Sequence, residues 1–544
     1  MKRFEIIRKS IAIVLTMVIL LIPFSVVSVN ATTPGNCTLT KADGSTAEYA
    51  TLRDAILAAN SETGEVVTIS VNASHRTAVC KDSDAQYTGS SALVINGNGN
   101  TIFTKGNTDH AASLINIATT ASVTINSLIV EDDYTNPTES TRWARGIIRL
   151  DKGSLIINNS KLVSIAYGLP VLYIKNYGSA VKIDNSIFVN TANNTVGGLI
   201  STQKVADVDY TVEATNSNFI ASGANEVQNC LNFVAGTTYK TNISFDKCEF
   251  YGASSRSFVL FGAGEVDATI QNCNFVMPSF STFNKSYTAL YLTGAVNSLA
   301  VLNTTFQGTS CIHRNSDGAR ILGDWSSNAG VRDNWARLIK SATVEGTGDI
   351  QCDATQYTVA TLPEMEDGAA VRLNKDTSGI RFTTTVAKAN DANFKAMAGE
   401  GGSVTYGTIF VLKSELEVSN IWADNRKSDL KYSFITHGFL DAMDAPYVDV
   451  VANQGMETDA QGNITYRAAL KGIAAANYAD DICAFAYVKV TYGDGNFNYF
   501  YSAFDHTENT RSIQYVAQQA LADTTQTYTA AELEVLNAYA GVQS

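Results

Sequence analysis

Through the middle of the chain, apolar and polar positions alternate in short runs, and one six-residue pattern recurs: apolar, any, Asn, Ser/Cys/Thr, any, Phe or Leu. It reads Ile157-Asn158-Asn159-Ser160-Lys161-Leu162 and Ile183-Asp184-Asn185-Ser186-Ile187-Phe188. It returns at Ala214 to Phe219, Ile270 to Phe275 and Val301 to Phe306; Phe245 to Phe250 has Lys247 in the Asn position. A shorter version, Ile125-Asn126-Ser127-Leu128-Ile129, opens the series. The Asn column falls at 126, 159, 185, 216, 247, 272 and 303, in steps of 25 to 33 residues. Each copy follows another short apolar run, such as Ile147-Ile148-Arg149-Leu150, Val171-Leu172-Tyr173-Ile174 or Phe258-Val259-Leu260-Phe261. Alternation at period two predicts strands, and no helical period interrupts it. A repeat with constant strands and variable bends predicts a coiled parallel sheet in which each turn stacks on the last. Asn suits a left-handed bend, and its amide can bond to the same amide one turn away.

Before the repeat, Ala50 to Asn60 predicts an amphipathic helix, and Leu93 to Ile102 the first turn after it. With the Asn-Ser/Cys-x-Phe columns, these segments resemble the right-handed parallel β-helix proteins of the pectate-lyase-like superfamily, over about residues 36 to 360. The resemblance implies the fold and a helical N-terminal cap. It leaves activity open, because such proteins include lyases, hydrolases, adhesins and surface proteins.

From Leu362 the Asn column stops, and 12 of the 24 Tyr follow residue 361. Strands are predicted at Gly379 to Val386, Val404 to Leu412 and Ile482 to Tyr492. A hairpin turn at Tyr492-Gly493-Asp494-Gly495-Asn496 leads into Phe497 to Ala503. Two helices close the chain, Thr510 to Asp523 and Thr529 to Ala540; Thr529 and Glu532 form a capping box. The expected fold is mainly β: a right-handed parallel β-helix over 32–360, then a smaller β-sandwich-like domain with terminal helices over 362–544, each folding by itself. The second part is similar to C-terminal modules of multi-domain secreted bacterial proteins.

Composition narrows the partners. The 544 residues carry 39 Lys and Arg against 52 Asp and Glu, a net charge of −13, which disfavours nucleic acid and anionic lipid. Residues 1–31 read as a secretory signal, with a basic start, an apolar run from Ser10 to Val29 and a small-residue site at Val29-Asn30-Ala31. An uncleaved anchor is the alternative reading. The expected location is secreted or cell-surface, with no membrane span after cleavage. Eight Cys in such a chain permit disulfides, Cys37 with Cys80 among them; Cys248, Cys273 and Cys483 lie in apolar patterns that point to buried thiols.

No G-x-S-x-G, H-E-x-x-H, P-loop or EF-hand motif occurs, and the five His are scattered. Asn107-Thr108-Asp109 echoes polygalacturonases without their companion motifs. Glu131, Asp132 and Asp133 form an acidic cluster after a strand and are candidate calcium ligands; a solvated acidic loop is the plainer reading. No other cofactor is expected. Two connections look long, Glu131 to Arg145 and Gln307 to Arg337, and both end in Trp-Ala-Arg. They hold Arg142, Trp143, Arg145, Trp325, Trp335 and Arg337, side chains suited to stacking on sugars and bonding carboxylates or hydroxyls. Long loops on rigid scaffolds usually carry function, although Trp could also cap the solenoid. If the turns start near 147, 171, 199, 230, 258, 290 and 338, the two loops stand about 29 Å apart, walls of a saddle for an extended polymer. The expected function is non-catalytic binding of a glycan or other extracellular polymer. A polysaccharide lyase or hydrolase, and a spacer presenting the C-terminal domain, are the alternatives.

Overall fold

A computed structural model describes residues 35–78, 86–105, 113–132, 146–164, 170–175, 180–190, 196–202, 209–221, 229–233, 240–252, 257–262, 265–276, 288–292, 295–307, 310–314, 320–321, 342–344, 349–357, 362–418, 435–452 and 456–542. Residues 1–31, where a signal is expected, lie outside them. From residue 66 to residue 357 the strands form a solenoid of three parallel sheets. The first sheet runs through Ile115–Asn126, Ile148–Asn158, Leu172–Ile174, Val196–Thr202, Asn229–Phe233, Ser257–Phe261, Thr288–Leu292 and Ser310–Arg314. The second uses the later halves of the two long strands, then Ala180–Asp184, Tyr210–Thr215, Lys240–Asp246, Glu265–Gln271, Ala295–Gln307 and Asp349–Tyr357. The third comprises His75–Ala78, Thr101–Lys105, Ile129–Asp132, Lys161–Ser164, Ile187–Asn190, Asn218–Ala221, Glu249–Gly252 and Asn274–Val276, and ends on residues 305–307. The cap helix Leu52–Ala59 starts at Thr51, whose hydroxyl accepts the Asp54 N–H; it buries Leu52, Ala55, Ile56 and Ala59.

The bend between the second and third sheets explains the repeat. Asn98, Ser127, Asn159, Asn185, Asn216, Lys247, Asn272 and Asn303 all hold φ between 44° and 55°, where Asn is tolerated better than most residues. The opening member is therefore Ser127 rather than Asn126, because in that turn the Asn falls one residue early, at the strand's end. The next column is Ser, Cys or Thr because its side chain is bonded twice. Ser186 Oγ accepts the Ser160 N–H at 3.1 Å and donates to the Asp184 carbonyl at 2.8 Å. Ser217 does the same for Ser186, at 3.1 and 2.7 Å, and Thr304 for Cys273, at 3.3 and 2.9 Å. Amides also stack: Asn185 donates to Asn159 Oδ1 at 2.7 Å and Asn303 to Asn272 Oδ1 at 2.9 Å. Lys247 offers no acceptor, and above it Asn272 turns to Asp246 Oδ1 at 2.7 Å. Asn185→Ala is expected to cost about 1–3 kcal/mol, through the lost bond and the strained bend. Lys247→Asn is expected to restore a rung and gain about 0.5–1 kcal/mol. Denaturant melts of the two variants check both signs.

Inside the third sheet the Phe column is a stack. Ring centroids of Phe219–Phe250, Phe250–Phe275 and Phe275–Phe306 lie 5.3, 4.3 and 5.0 Å apart and within 12° of parallel. Cys37, Cys230, Cys248 and Cys273 are free, buried thiols, and Cys483 is buried too; Cys80 lies outside the described residues. Burial, with Glu48 and Asp54 nearby, pushes the Cys37 thiol up to about 12.

Beyond residue 362 two antiparallel sheets face each other. One is built on Gly379–Val386 and Ile464–Lys471, the other on Tyr447–Val451, Ser403–Leu412, Ile482–Thr491 and Phe497–Tyr501. Tyr466 of the first reaches the Gly407 and Tyr487 carbonyls of the second at 3.2 and 3.3 Å. Both expected terminal helices occur, as Ile513–Ala522 and Ala530–Ala540, the latter with its capping box. Helices Lys388–Ala398 and His437–Ala442 have no counterpart among the expected elements.

This sandwich shares its core with the solenoid. Val189, Ile220, Tyr251 and Val276, outward on the third sheet, are buried in one cluster with Phe439, Leu440, Phe485 and Tyr501. Tyr251 stacks on Phe439 at 4.1 Å. Gln307 extends the row, donating through Nε2 to the Tyr499 carbonyl at 2.8 Å and accepting the Tyr501 N–H at 3.2 Å. Its amide thus serves the edge strand Phe497–Tyr501 as a neighbouring backbone would.

Candidate functional site

Strand alternation sends one residue of each first-sheet strand outward. Register aligns Gln86, Asn116, Arg149, Tyr173, Ser201, Asn232, Leu260 and Tyr291 in a single column, with His313 next in the backbone register. At about 4.8 Å per strand, Tyr173 and Tyr291 are four steps, about 19 Å, apart. Ser201, Asn232 and Leu260 lie between them, all half-buried like the two tyrosines. One end is polar and fixed: Arg149, 6% exposed, donates from Nε to Asp151 Oδ1 at 2.7 Å, while Gln86 Nε2 donates to Asp151 Oδ2 at 3.3 Å. The column places two half-buried tyrosines four rungs apart, with a serine, an asparagine and a leucine between them and the Arg149–Asp151 pair beside Tyr173. Such a surface can hold a chain of hydroxyl-bearing units by stacking and hydrogen bonding.

Gly146, the residue after the Trp-Ala-Arg tripeptide in sequence, lies beside this surface. That residue has φ 59°, and a Cβ on it would press on the Ile148 carbonyl at 2.7 Å and the Tyr173 N at 2.9 Å. Glycine is needed there for the chain to enter the strand beside Tyr173. Arg142, Trp143, Arg145, Trp325, Trp335 and Arg337 themselves lie outside the described residues. So does Asn107-Thr108-Asp109.

Two sequence expectations change. The connection from Gln307 to Arg337 contains the strand Ser310–Arg314, which pairs in parallel with Thr288–Leu292, and Arg320–Ile321 pairs back onto it. The sixth step of the first sheet is therefore at 310 and not at 338, and the 29 Å separation inferred for the two loops lapses. His313, expected in a long loop, belongs to that strand. The apolar pair Leu338-Ile339 suggests the strand in sequence, while Ser310-Cys311-Ile312-His313-Arg314 offers few apolar positions.

Glu131 falls in the outward row of the third sheet, registered between Phe103 and Val163. The backbone of Asp132 ends that strand; its side chain and all of Asp133 lie outside the described residues. Among the described residues no three His, Cys, Asp or Glu side chains are grouped to hold a metal ion, and no helix is long and apolar enough to cross a membrane.

The sequence reading missed the first-sheet column and the covered third sheet. The second had a signal: the residues after the inward Leu162, Phe188, Phe219, Phe250 and Phe275 are Val163, Val189, Ile220, Tyr251 and Val276. Alternation turns these positions outward, and an outward row that stays apolar marks a face with a partner. No protein-family model matches the chain, and no curated protein matches it.

Proposed function

We propose that the chain is a secreted or cell-surface protein that binds a polysaccharide or similar extended extracellular polymer along the outward column of the first sheet, without cleaving it. The observation that supports this reading is the registered series Arg149, Tyr173, Ser201, Asn232, Leu260 and Tyr291, a row of two tyrosines and three polar side chains interrupted by one leucine. A long shallow strip suits a polymer, whereas a small molecule is better served by a deep pocket. The likeness to pectate-lyase-like secreted proteins supports the same class of ligand. Trp143 and Arg145, close in sequence to Gly146 beside Tyr173, are proposed as part of it, with Arg142; Trp325, Trp335 and Arg337 are proposed as contributors from the other tryptophan-bearing segment.

A glycan-array screen of the mature chain tests the reading. Tyr173→Ala, Tyr291→Ala and Trp143→Ala are each expected to weaken polymer binding by about 1–3 kcal/mol with melting unchanged. Reducing-sugar or unsaturated products would instead establish a hydrolase or lyase, with Glu131, Asp132 and Asp133 as calcium ligands if millimolar calcium raises Tm. No binding to any polymer would leave a spacer.

A further inference from the structure

The joint between solenoid and sandwich contains an acid that the polymer strip does not use. Glu249 stands outward on the third sheet, registered between Asn218 and Asn274. Its Oε1 is sealed from solvent with no hydrogen-bond partner among the described residues. A Cβ on Gly438 would collide with Oε2, so the helix His437–Ala442 approaches the acid as closely as a backbone can. Two residues along the same strand, Tyr251 stacks on Phe439 of that helix.

The groups around the acid come from several elements. The helix and its cap set Thr436 and Asp441 against it, and the sheet behind sets Tyr499 and Tyr501; His437, Tyr447, Asp449 and Tyr487 adjoin these groups. His437 is held inside this cluster, with Nδ1 3.0 Å from Tyr501 Oη and Nε2 3.4 Å from Asp449 Oδ2. Tyr487 donates to Asp449 Oδ1 at 2.8 Å. At the rim, Lys161 pairs with Asp444. Burial is the main influence on Glu249; the Thr436 hydroxyl opposes it, and Asp441 adds a smaller repulsion.

We propose that Glu249 is a proton-operated latch: protonated, it lets the helix His437–Ala442 and its sheet seat on the third face of the solenoid, and ionised, it loosens that contact. Desolvation pushes the seated carboxyl from its ordinary 4.5 up to about 7. The seated form thus keeps a proton that the opened form releases between those values. Seating is strongest below about pH 4.5, weakens as pH rises through that window, and has lost this contribution above about 7.

Hydrogen exchange of the full chain at pH 5 and pH 8, corrected for intrinsic rates, tests the latch. In the wild type the opening constant of residues 437–442 and 497–501 is expected to rise about 100-fold from the lower to the higher pH. Glu249→Gln should flatten that difference to a few-fold. An equal rise in Glu249→Gln, or no rise in the wild type, overturns the proposal. If the variant does not fold, the infrared band of a protonated carboxyl in the wild type decides: loss with a midpoint near 7 supports the latch, and the absence of any carboxyl titrating above 6 overturns it.

Discussion

Phe250→Ala is expected to destabilise the chain by about 3–5 kcal/mol, the usual cost of emptying a large aromatic site in a packed core. Phe250 is fully buried. Its ring is parallel to Phe219 on one side and Phe275 on the other, at 5.3 and 4.3 Å, and meets Phe245 and Phe258 edge-on at 5.2 and 5.5 Å. Stacked turns cannot close the gap, because their spacing is set by backbone hydrogen bonds that continue on both sides. A denaturant melt measures the loss. A cost under about 1 kcal/mol would mean that the solenoid interior repacks and that the ring stack is incidental.

Cutting the chain at residue 361 is expected to do comparable harm to both pieces. The solenoid would expose Val189, Ile220, Tyr251 and Val276, all buried in the intact chain. Each fully buried apolar side chain is worth about 1.5–3 kcal/mol, so the four hold on the order of 6–12 kcal/mol before ordering costs. The sandwich would expose Phe439 and its surroundings at the same time. Both fragments should bind a hydrophobic dye and self-associate in analytical ultracentrifugation, and mixing them should reverse this. Two monomeric, dye-silent fragments would show that the shared core contributes little, and that the two parts fold separately.

The strands, the bend column and the terminal capping box were legible because each has a local cause. Period-two alternation marks strands, left-handed φ favours Asn, and Thr529 with Glu532 three residues on bonds reciprocally. Helix Lys388–Ala398 was not legible, since Asn390 and Asp391 occupy two of its four buried positions and blur the apolar period. Asp391 is buried because it accepts the Tyr406 hydroxyl, a partner that only the tertiary fold supplies. The first-sheet column stayed hidden for another reason. Its members are chemically unlike, and they align only when register is carried across variable bends.

Gln307 bears on how such a chain can grow. Every rung of a solenoid presents nearly the same backbone to a lateral partner, so a sheet resting against it could settle at several heights. Tyr251 under Phe439 and Gln307 against the Phe497–Tyr501 edge act as two marks on a ruler, two rungs apart. Inserting one coil between them would move the marks about 4.8 Å out of step with a sheet that cannot stretch. A coil inserted before Asn98 would leave both in place. Duplication of the repeat is therefore tolerated at the capped end and penalised beside the sandwich, and the C-terminal part fixes the length of the segment it leans on.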